Sequence, residues 1–313
     1  MSRRRKGRSV HGIVLLDKPA GFSSSQAVQK VRWLFEARKA GHTGSLDPFA
    51  TGMLPICLGE ASKTAGFMLN ASKTYLARAL LGQATTTGDI EGEVLARAPV
   101  PEQDETGIAA VLAGFVGLIE QVPPMYSALK HEGQPLYRLA RAGREVERAA
   151  REVTIHNLEL LSWEPPYLSF RVRCSKGTYI RTLAEDIALA MGSYAHLVAL
   201  RRLAVEPFNE QQMVSLGYLE EQAREGRIDQ CLLSPDAGLV DWPQLLLEPD
   251  AARRFAHGNP VAGAGAGVKP GLVRVYGPGD VLFGLGEVTV DGTLRARRLM
   301  NLAASDSPAA DHK

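Results

Sequence analysis

Three cysteines in 313 residues are too few and too scattered for a disulfide framework or a metal cage. Cys57, Cys174 and Cys231 form no Cys-x-x-Cys pair, and the chain has no His-x-Glu or His-Glu-x-x-His segment. The thiols therefore read as reduced packing residues, with no metal expected. A dinucleotide fingerprint and a phosphate-binding loop are also missing, which leaves no sequence sign of a cofactor. Long apolar runs are absent as well. Nothing approaches the roughly 18 residues that a membrane helix needs. The apolar piece at residues 12–16, although arginines precede it, is too short for the core of a signal peptide. The expectation is a cytoplasmic protein that enters no membrane.

Nor is there an excess of charge of one sign: 36 Lys and Arg against 34 Asp and Glu give a net charge of +2. That balance argues only weakly for a polyanionic partner, but the distribution argues more. Arg3, Arg4, Arg5, Lys6 and Arg8 crowd the first eight residues without an acid, and residues 130–151 hold Lys130, Arg138, Arg141, Arg144, Arg148 and Arg151 against three glutamates. With Arg171, Arg173, Lys176, Arg181, Arg201 and Arg202 they suggest a surface that tracks phosphates. Taken singly, each group reads equally as a solvated tail or helix face. A composition of 45% hydrophobic and 22% charged residues is that of a soluble globular protein, long enough for one sizeable domain and a small one.

Strands and helices alternate along most of the chain. Residues 12–16 read as a strand; Ser23-x-x-Gln26 fits a capping box, followed by Ala27, Val28, Val31, Leu34 and Phe35 at helical spacing. Residues 73–81 alternate as a strand with Tyr75, Ala77, Ala79 and Leu81 on one face. The stripe Ile108, Val111, Leu112 and Phe115 predicts a helix over 106–118. Residues 121–151, opening on Pro123-Pro124, predict a partly helical excursion from the sheet. Strands are expected at 153–161 and 167–174, the second with Leu168, Phe170, Val172 and Cys174 inward and Arg171 and Arg173 outward. Beyond Pro235 glycine becomes dense, and short strands at 272–275, 281–285 and 287–290 predict a small β-barrel over 241–304. Residues 305–313 read as a disordered tail.

Two segments carry chemistry. Gly41-His-Thr-Gly-Ser-Leu-Asp-Pro-Phe-Ala-Thr-Gly52 sets one carboxylate, Asp47, in a glycine-punctuated loop. Pro48 keeps Asp47 extended, and the glycines allow turns and close backbone approach, so the carboxylate is expected to be presented and not buried. An Asp-Pro pair can equally start a turn or cap a helix. The second segment is Ser175-Lys-Gly-Thr-Tyr-Ile-Arg181: Thr178 is the expected N-cap, and Arg181 falls in the first helical turn, where it could hold a carboxylate at the strand ends. A surface arginine at a helix start is the alternative.

Gly12 to Ser24, Gly41 to Pro55, Tyr126-Ser-Ala-Leu-Lys130, Ser175 to Leu183 and Leu200-Arg-Arg202, in this order, resemble the bacterial TruB-type tRNA pseudouridine synthases. The similarity runs from about residue 10 to residue 303, because the glycine-rich end resembles the family's PUA module. It implies an α+β pseudouridine synthase fold with a central mixed, largely antiparallel sheet flanked by helices and loops, plus a small C-terminal PUA-like β-barrel. The implied domains are 1–240, with an RNA-gripping insertion at about 124–152, and 241–304. The implied activity is isomerisation of uridine 55 in the tRNA T arm without cofactor or obligatory protein partner. In that scheme Asp47 is the nucleophilic or electrostatic carboxylate, kept ionised by Arg181, and Tyr75 stacks on the uracil and is the candidate for proton transfer. Tyr179 and Leu200 wall the pocket, His42 fills the place of the extruded base, and Lys18 and Pro19 shape the surroundings. Outside the resemblance, Tyr75 and Leu200 would pass for core and His42 for a hydrogen-bonded loop residue. The sequence departs from the family at Thr85-Thr86-Thr87, where Thr-Asp-Thr is common, so no acid role carries over to Thr86. A non-catalytic tRNA-binding or folding protein, and a guide-RNA-dependent synthase subunit, are the alternatives.

Overall fold

The computed structural model describes residues 7–302; the basic stretch at 1–6 and the tail at 305–313 lie outside the described residues. Gly12–Lys18 (β1) is buried along nearly its whole length, as befits an unbroken apolar run inside a sheet. Ser23 then caps α1 (Ser24–Leu34): its hydroxyl accepts from the Gln26 N–H while the Gln26 side chain accepts from the Ser23 N–H, the expected capping box. Next come β2 (Ala40–His42), β3 (Thr51–Leu58), α2 (Ala65–Met68), β4 (Lys73–Leu81) and a hairpin of β5 (Gln83–Thr85) and β6 (Val94–Arg97). α3 (Glu105–Ala113), β7 (Gly117–Gln121), the short pair β8 (Lys130–His131) and β9 (Gln134–Pro135), and α4 (Leu136–Arg141) follow. β10 (Arg151–Glu164), β11 (Tyr167–Cys174), α5 (Ile180–Ala190), β12 (Ala195–Val205), β13 (Val214–Ser215) and α6 (Leu216–Arg224) complete the larger part.

These strands form a nine-stranded sheet of order β13-β1-β3-β12-β4-β11-β10-β7, with β2 also pairing β3. Only β1 with β13 and β3 with β12 run parallel, so the sheet is mixed and largely antiparallel. The alternation read for β4 and β11 is obeyed: Tyr75, Ala77, Ala79, Leu168, Phe170 and Val172 share one core with Ile180, Leu183 and Ile187 of α5. α1 and α6 cover another part, packing Val28, Val31 and Leu219 on Leu54 and Ile56. No helix is long and apolar enough to cross a membrane.

Four local expectations are corrected. The helix expected over 106–118 ends at Ala113, because residues 117–121 are claimed by the ladder to β10 and Gly117 enters it at φ +110. Thr178 is not the N-cap of α5; its hydroxyl donates to the Ser175 carbonyl within the preceding turn, and Tyr179 holds the cap position. The C-terminal strands β14 (Gln244–Leu246), β15 (Gly271–Gly277), β16 (Val281–Val288) and β17 (Leu294–Leu299) make an open sheet, and among the described residues no barrel closes. Residues 281–285 and 287–290 are not two strands: β16 runs through Gly286, where a Cβ would collide with the Leu294 side chain. α7 (Pro249–Ala256), which the glycine-rich texture did not announce, brings Ala252 and Phe255 into the core of this sheet.

Candidate active site

One edge of β3 is shared between two partners. β2 pairs with its C-terminal half, from His42 opposite Ile56 to Ala40 opposite Leu58, while β12 pairs with its start, Arg201 and Arg202 opposite Thr51 and Gly52. The 43–50 loop leaves the sheet at this fork, so the chain must turn sharply there. Gly52 makes the turn possible: it sits at φ +98, and a Cβ would strike the Arg202 backbone. From the far side Arg202, 1% exposed, donates through Nε to the Met53 carbonyl (2.7 Å), Nη1 to Ser45 (3.3 Å) and Nη2 to Gly44 (3.0 Å). Lys18 ties the other limb, its Nζ donating to the carbonyls of Pro19 (2.9 Å), Phe22 (2.7 Å) and Pro48 (3.3 Å). Burial lowers the Lys18 ammonium to about 8, against the pull of Asp47.

The loop carries Asp47 to the first turn of α5. Arg181 Nε stands 2.9 Å from Asp47 Oδ2 and Nη2 donates to Oδ1 at 3.3 Å. Both carboxylate oxygens thus lie within reach of the guanidinium, and with the arginine side chain 5% exposed and the aspartate 36%, the aspartate stays partly open to solvent. Arg181 is itself held: Nη1 donates to the Thr87 carbonyl (2.5 Å), Nη2 to the Tyr126 carbonyl (2.8 Å), and Asp89 Oδ2 lies 3.6 Å from Nε. Arg181 does not simply keep Asp47 at low pKa, as the sequence reading expects. Despite that exposure, dense protein around the carboxyl holds it above the usual aspartate range; Arg181 opposes that shift and Asp89 adds to it.

The remaining expected residues gather with different closeness. Tyr75 and Tyr179 both feel the Asp47 charge, and burial raises both phenols. Tyr75 is buried on β4 with Arg202 beside it. Leu200, on β12, packs in the same core cluster as Leu46, Phe49 and Tyr75. Pro19 contributes its carbonyl to Lys18. His42 feels the Arg202 charge: burial first, then Arg202, lowers its pKa, which favours the neutral ring. Its Nδ1 accepts from the Gly44 N–H at 3.2 Å, which puts the proton on Nε2.

The basic clusters divide. Arg181 and Arg202 are buried and cannot track phosphates; Arg201 is locked onto Asp17 by two bonds of 2.9 and 2.8 Å. Arg171 and Arg173 face outward as expected, paired with Glu159 and Glu206. Arg8, the described end of the basic arm, pairs with Asp229. Sequence reading missed Asp89 altogether. Asp89 stands three residues beyond Thr86, its Oδ1 accepting from the Thr87 hydroxyl (2.5 Å) and the Glu91 N–H (3.0 Å). The signal available was Asp89 between Gly88 and Gly92 in a polar loop. Among the described residues no three His, Cys, Asp or Glu side chains converge as metal ligands would.

Comparison with known proteins decides the family. The model for the TruB family pseudouridylate synthase N-terminal domain matches residues 32–180, that for the tRNA pseudouridylate synthase B C-terminal domain 181–240, and that for pseudouridine synthase II TruB, C-terminal, 243–300. A protein of Pseudomonas aeruginosa (strain UCBPP-PA14) named tRNA pseudouridine synthase B is 51% identical over 95% of this chain and 98% of its own length. The chain belongs to the TruB family of pseudouridylate synthases. A Nitrosococcus oceani protein of the same name is also 51% identical, over 95% of this chain and 97% of its own. Among solved structures, a chain of a Cbf5-Nop10-Gar1 complex is similar at a TM-score of 0.71 and 26% identity, over 95% of this chain and 87% of that one. As a TruB-family synthase the protein is an isomerase, and the five motifs that carry the resemblance fall within or beside the matched regions.

Proposed function

We propose that this chain isomerises uridine 55 in the T arm of tRNA, with Asp47 as the reacting carboxylate. One observation carries the reading: a buried arginine grips the Asp47 carboxylate at 2.9 Å while the aspartate side chain stays 36% exposed. The relatives named tRNA pseudouridine synthase B support tRNA as the substrate.

The reaction breaks the N1–C1′ bond, turns the uracil and joins C5 to C1′. A proton leaves C5 and one is taken up at N1, so atoms balance and nothing is oxidised. Departing uracil spreads its negative charge over the ring oxygens, so hydrogen bonding can stabilise it without a second acid of the glycosidase kind. Asp47 either adds at C6 or stabilises and attacks C1′. Tyr75 stacks on the base and moves the C5 proton, with Tyr179 and Leu200 as the pocket walls. The target must leave its RNA stack, at a cost of a few kcal/mol; His42, neutral, takes its place, while Lys18 and Pro19 hold the loop. Residues 1–240 form the catalytic domain, with 124–152 gripping the RNA, and 241–304 bind RNA alongside. The protein acts in the cytoplasm with no obligatory protein partner.

The test is mass-spectrometric mapping of pseudouridine in unmodified tRNA incubated with the purified chain alone. Product at uridine 55 is expected, and Asp47→Asn should lower its rate by about a thousandfold or more while tRNA binding stays within a few fold. Turnover retained by Asp47→Asn sinks the assignment. Tight, salt-sensitive binding with no uridine changed identifies a non-catalytic RNA-binding protein instead.

A further inference from the structure

Gln121 ends β7 and stands opposite Arg151 of β10. The 122–150 excursion therefore leaves and re-enters the sheet at a single cross-strand pair. The Gln121 side chain does not serve that sheet. Its residue is 2% exposed, and its amide turns to α5: Oε1 accepts from the Tyr179 N–H at 3.0 Å, and Nε2 donates to the Tyr179 carbonyl at 3.3 Å. Tyr179 is the N-cap of α5, and no side chain of its own supplies the usual capping bond. The Gln121 amide thus occupies both polar backbone groups of the residue that leads into Ile180 and Arg181. Five residues beyond Gln121, the Tyr126 carbonyl accepts from Arg181 Nη2 at 2.8 Å. The root of the excursion meets the first turn of α5 at two points, and the guanidinium at the second is the one that grips Asp47.

From this juxtaposition we infer that Gln121 is a positioning residue for the reaction: its amide sets the first turn of α5 so that Arg181 spans Asp47 and the Tyr126 carbonyl at once. Two bonds from one planar amide to one residue fix rotation as well as distance. Misplacement of a reacting group by about 1 Å can cost on the order of a hundredfold in rate. The same amide couples the excursion to the site, because the residue that anchors the excursion in the sheet also holds the helix. The inference rests on the assignment of Asp47 given above.

Two variants test it, with single-turnover pseudouridine formation at saturating enzyme and tRNA Kd measured separately. Gln121→Met keeps length and apolar packing but loses both bonds. Its rate, read well below the melting midpoint, should fall about 10- to 100-fold, with tRNA Kd changed less than about threefold and the midpoint lowered by the unpaired Tyr179 N–H. Gln121→Glu retains the acceptor for the Tyr179 N–H but sets a carboxylate oxygen against the Tyr179 carbonyl. Once protonated it can donate there again, and at so buried a position that protonation occurs above the ordinary glutamate range. Its rate, taken as a ratio to the unsubstituted protein, should rise as the pH falls from about 8 to about 6. An unchanged rate in Gln121→Met, a loss confined to tRNA affinity, or a flat ratio in Gln121→Glu overturns the inference. Should Gln121→Met fail to fold, the Gln121→Glu ratio decides alone. Asp47→Asn, run in parallel, separates the two readings: turnover there removes the assignment of Asp47, whereas a dead Asp47→Asn beside a full-speed Gln121→Met removes only the role of Gln121.

Discussion

Arg181 and Arg202 hold the same loop from two sides, and both are almost wholly buried. Arg202 points Nε, Nη1 and Nη2 at three main-chain carbonyls, and among the described residues no carboxylate pairs with it. Arg181 divides its donors between two carbonyls and the carboxylates of Asp47 and Asp89. A buried cation facing only dipoles is a staple: it satisfies backbone groups that the turn leaves unpaired. One facing a partly exposed carboxylate holds an anion in place. Burial alone does not separate the two roles; the partners do.

The comparison can be broken by four substitutions. Arg181→Met should have the largest effect, lowering turnover by about a thousandfold, or about 4 kcal/mol of barrier. It also leaves Asp47 without its cation, so the accompanying loss of thermal stability should shrink as the pH is lowered from about 8 to about 5 and the carboxyl takes up a proton. Arg202→Met should cost about 3 kcal/mol of folding stability by orphaning three carbonyls. Its removal also relieves His42, Lys18 and Lys73, which burial and, after it, Arg202 hold below their ordinary ranges, so turnover of the folded variant at a fixed pH, and not the pH dependence of its melting, separates it from Arg181→Met. If folded Arg202→Met loses as much turnover as Arg181→Met, the distinction between staple and anion holder fails.

A third carboxyl sharpens it. Glu185 lies one helical turn beyond Arg181, and burial raises it to about 7, with Arg181 opposing and Asp186 and Asp89 adding to the shift. For a carboxyl raised on folding, ionisation works against the folded state. The unsubstituted protein should therefore lose stability as the pH rises from about 4.5 to about 7. Glu185→Gln should be more stable at pH 8 by on the order of 1–2 kcal/mol, with no difference near pH 4; denaturant titration at both pH values checks this. Arg201→Ala should have the smallest effect. Its partner Asp17 is partly exposed, and removing such a pair costs about 0.2–1 kcal/mol, measurable as a small shift of the melting midpoint.

The distance along the chain over which an interaction acts decides how much of this was legible. The Ser23–Gln26 capping box and the alternation of β4 and β11 were read correctly, because each depends on neighbours a few residues away. Asp47 and Arg181 were each singled out by their local setting, and their meeting agrees with the resemblance that joined them. Misreadings arose where a distant partner overrode a local pattern. The apolar stripe at 106–118 lost its end to the ladder with β10, and the glycine at 286 looked like a turn but serves close packing inside β16. Arg202 read as a phosphate contact because nothing near it in sequence reveals the three carbonyls it serves.

Composition and local order therefore determined the alternation of strands and helices, the glycine-permitted loop around Asp47 and the helix that begins beside Arg181, since turn, cap and strand propensities act within a few residues. Only the tertiary structure decided which arginine meets a carboxylate, that Asp89 joins it, and that the Gln121 amide meets both polar backbone groups of Tyr179. Charges and hydrogen bonds act through space, and the partners here lie far apart in the chain, 134 residues in the case of Asp47 and Arg181.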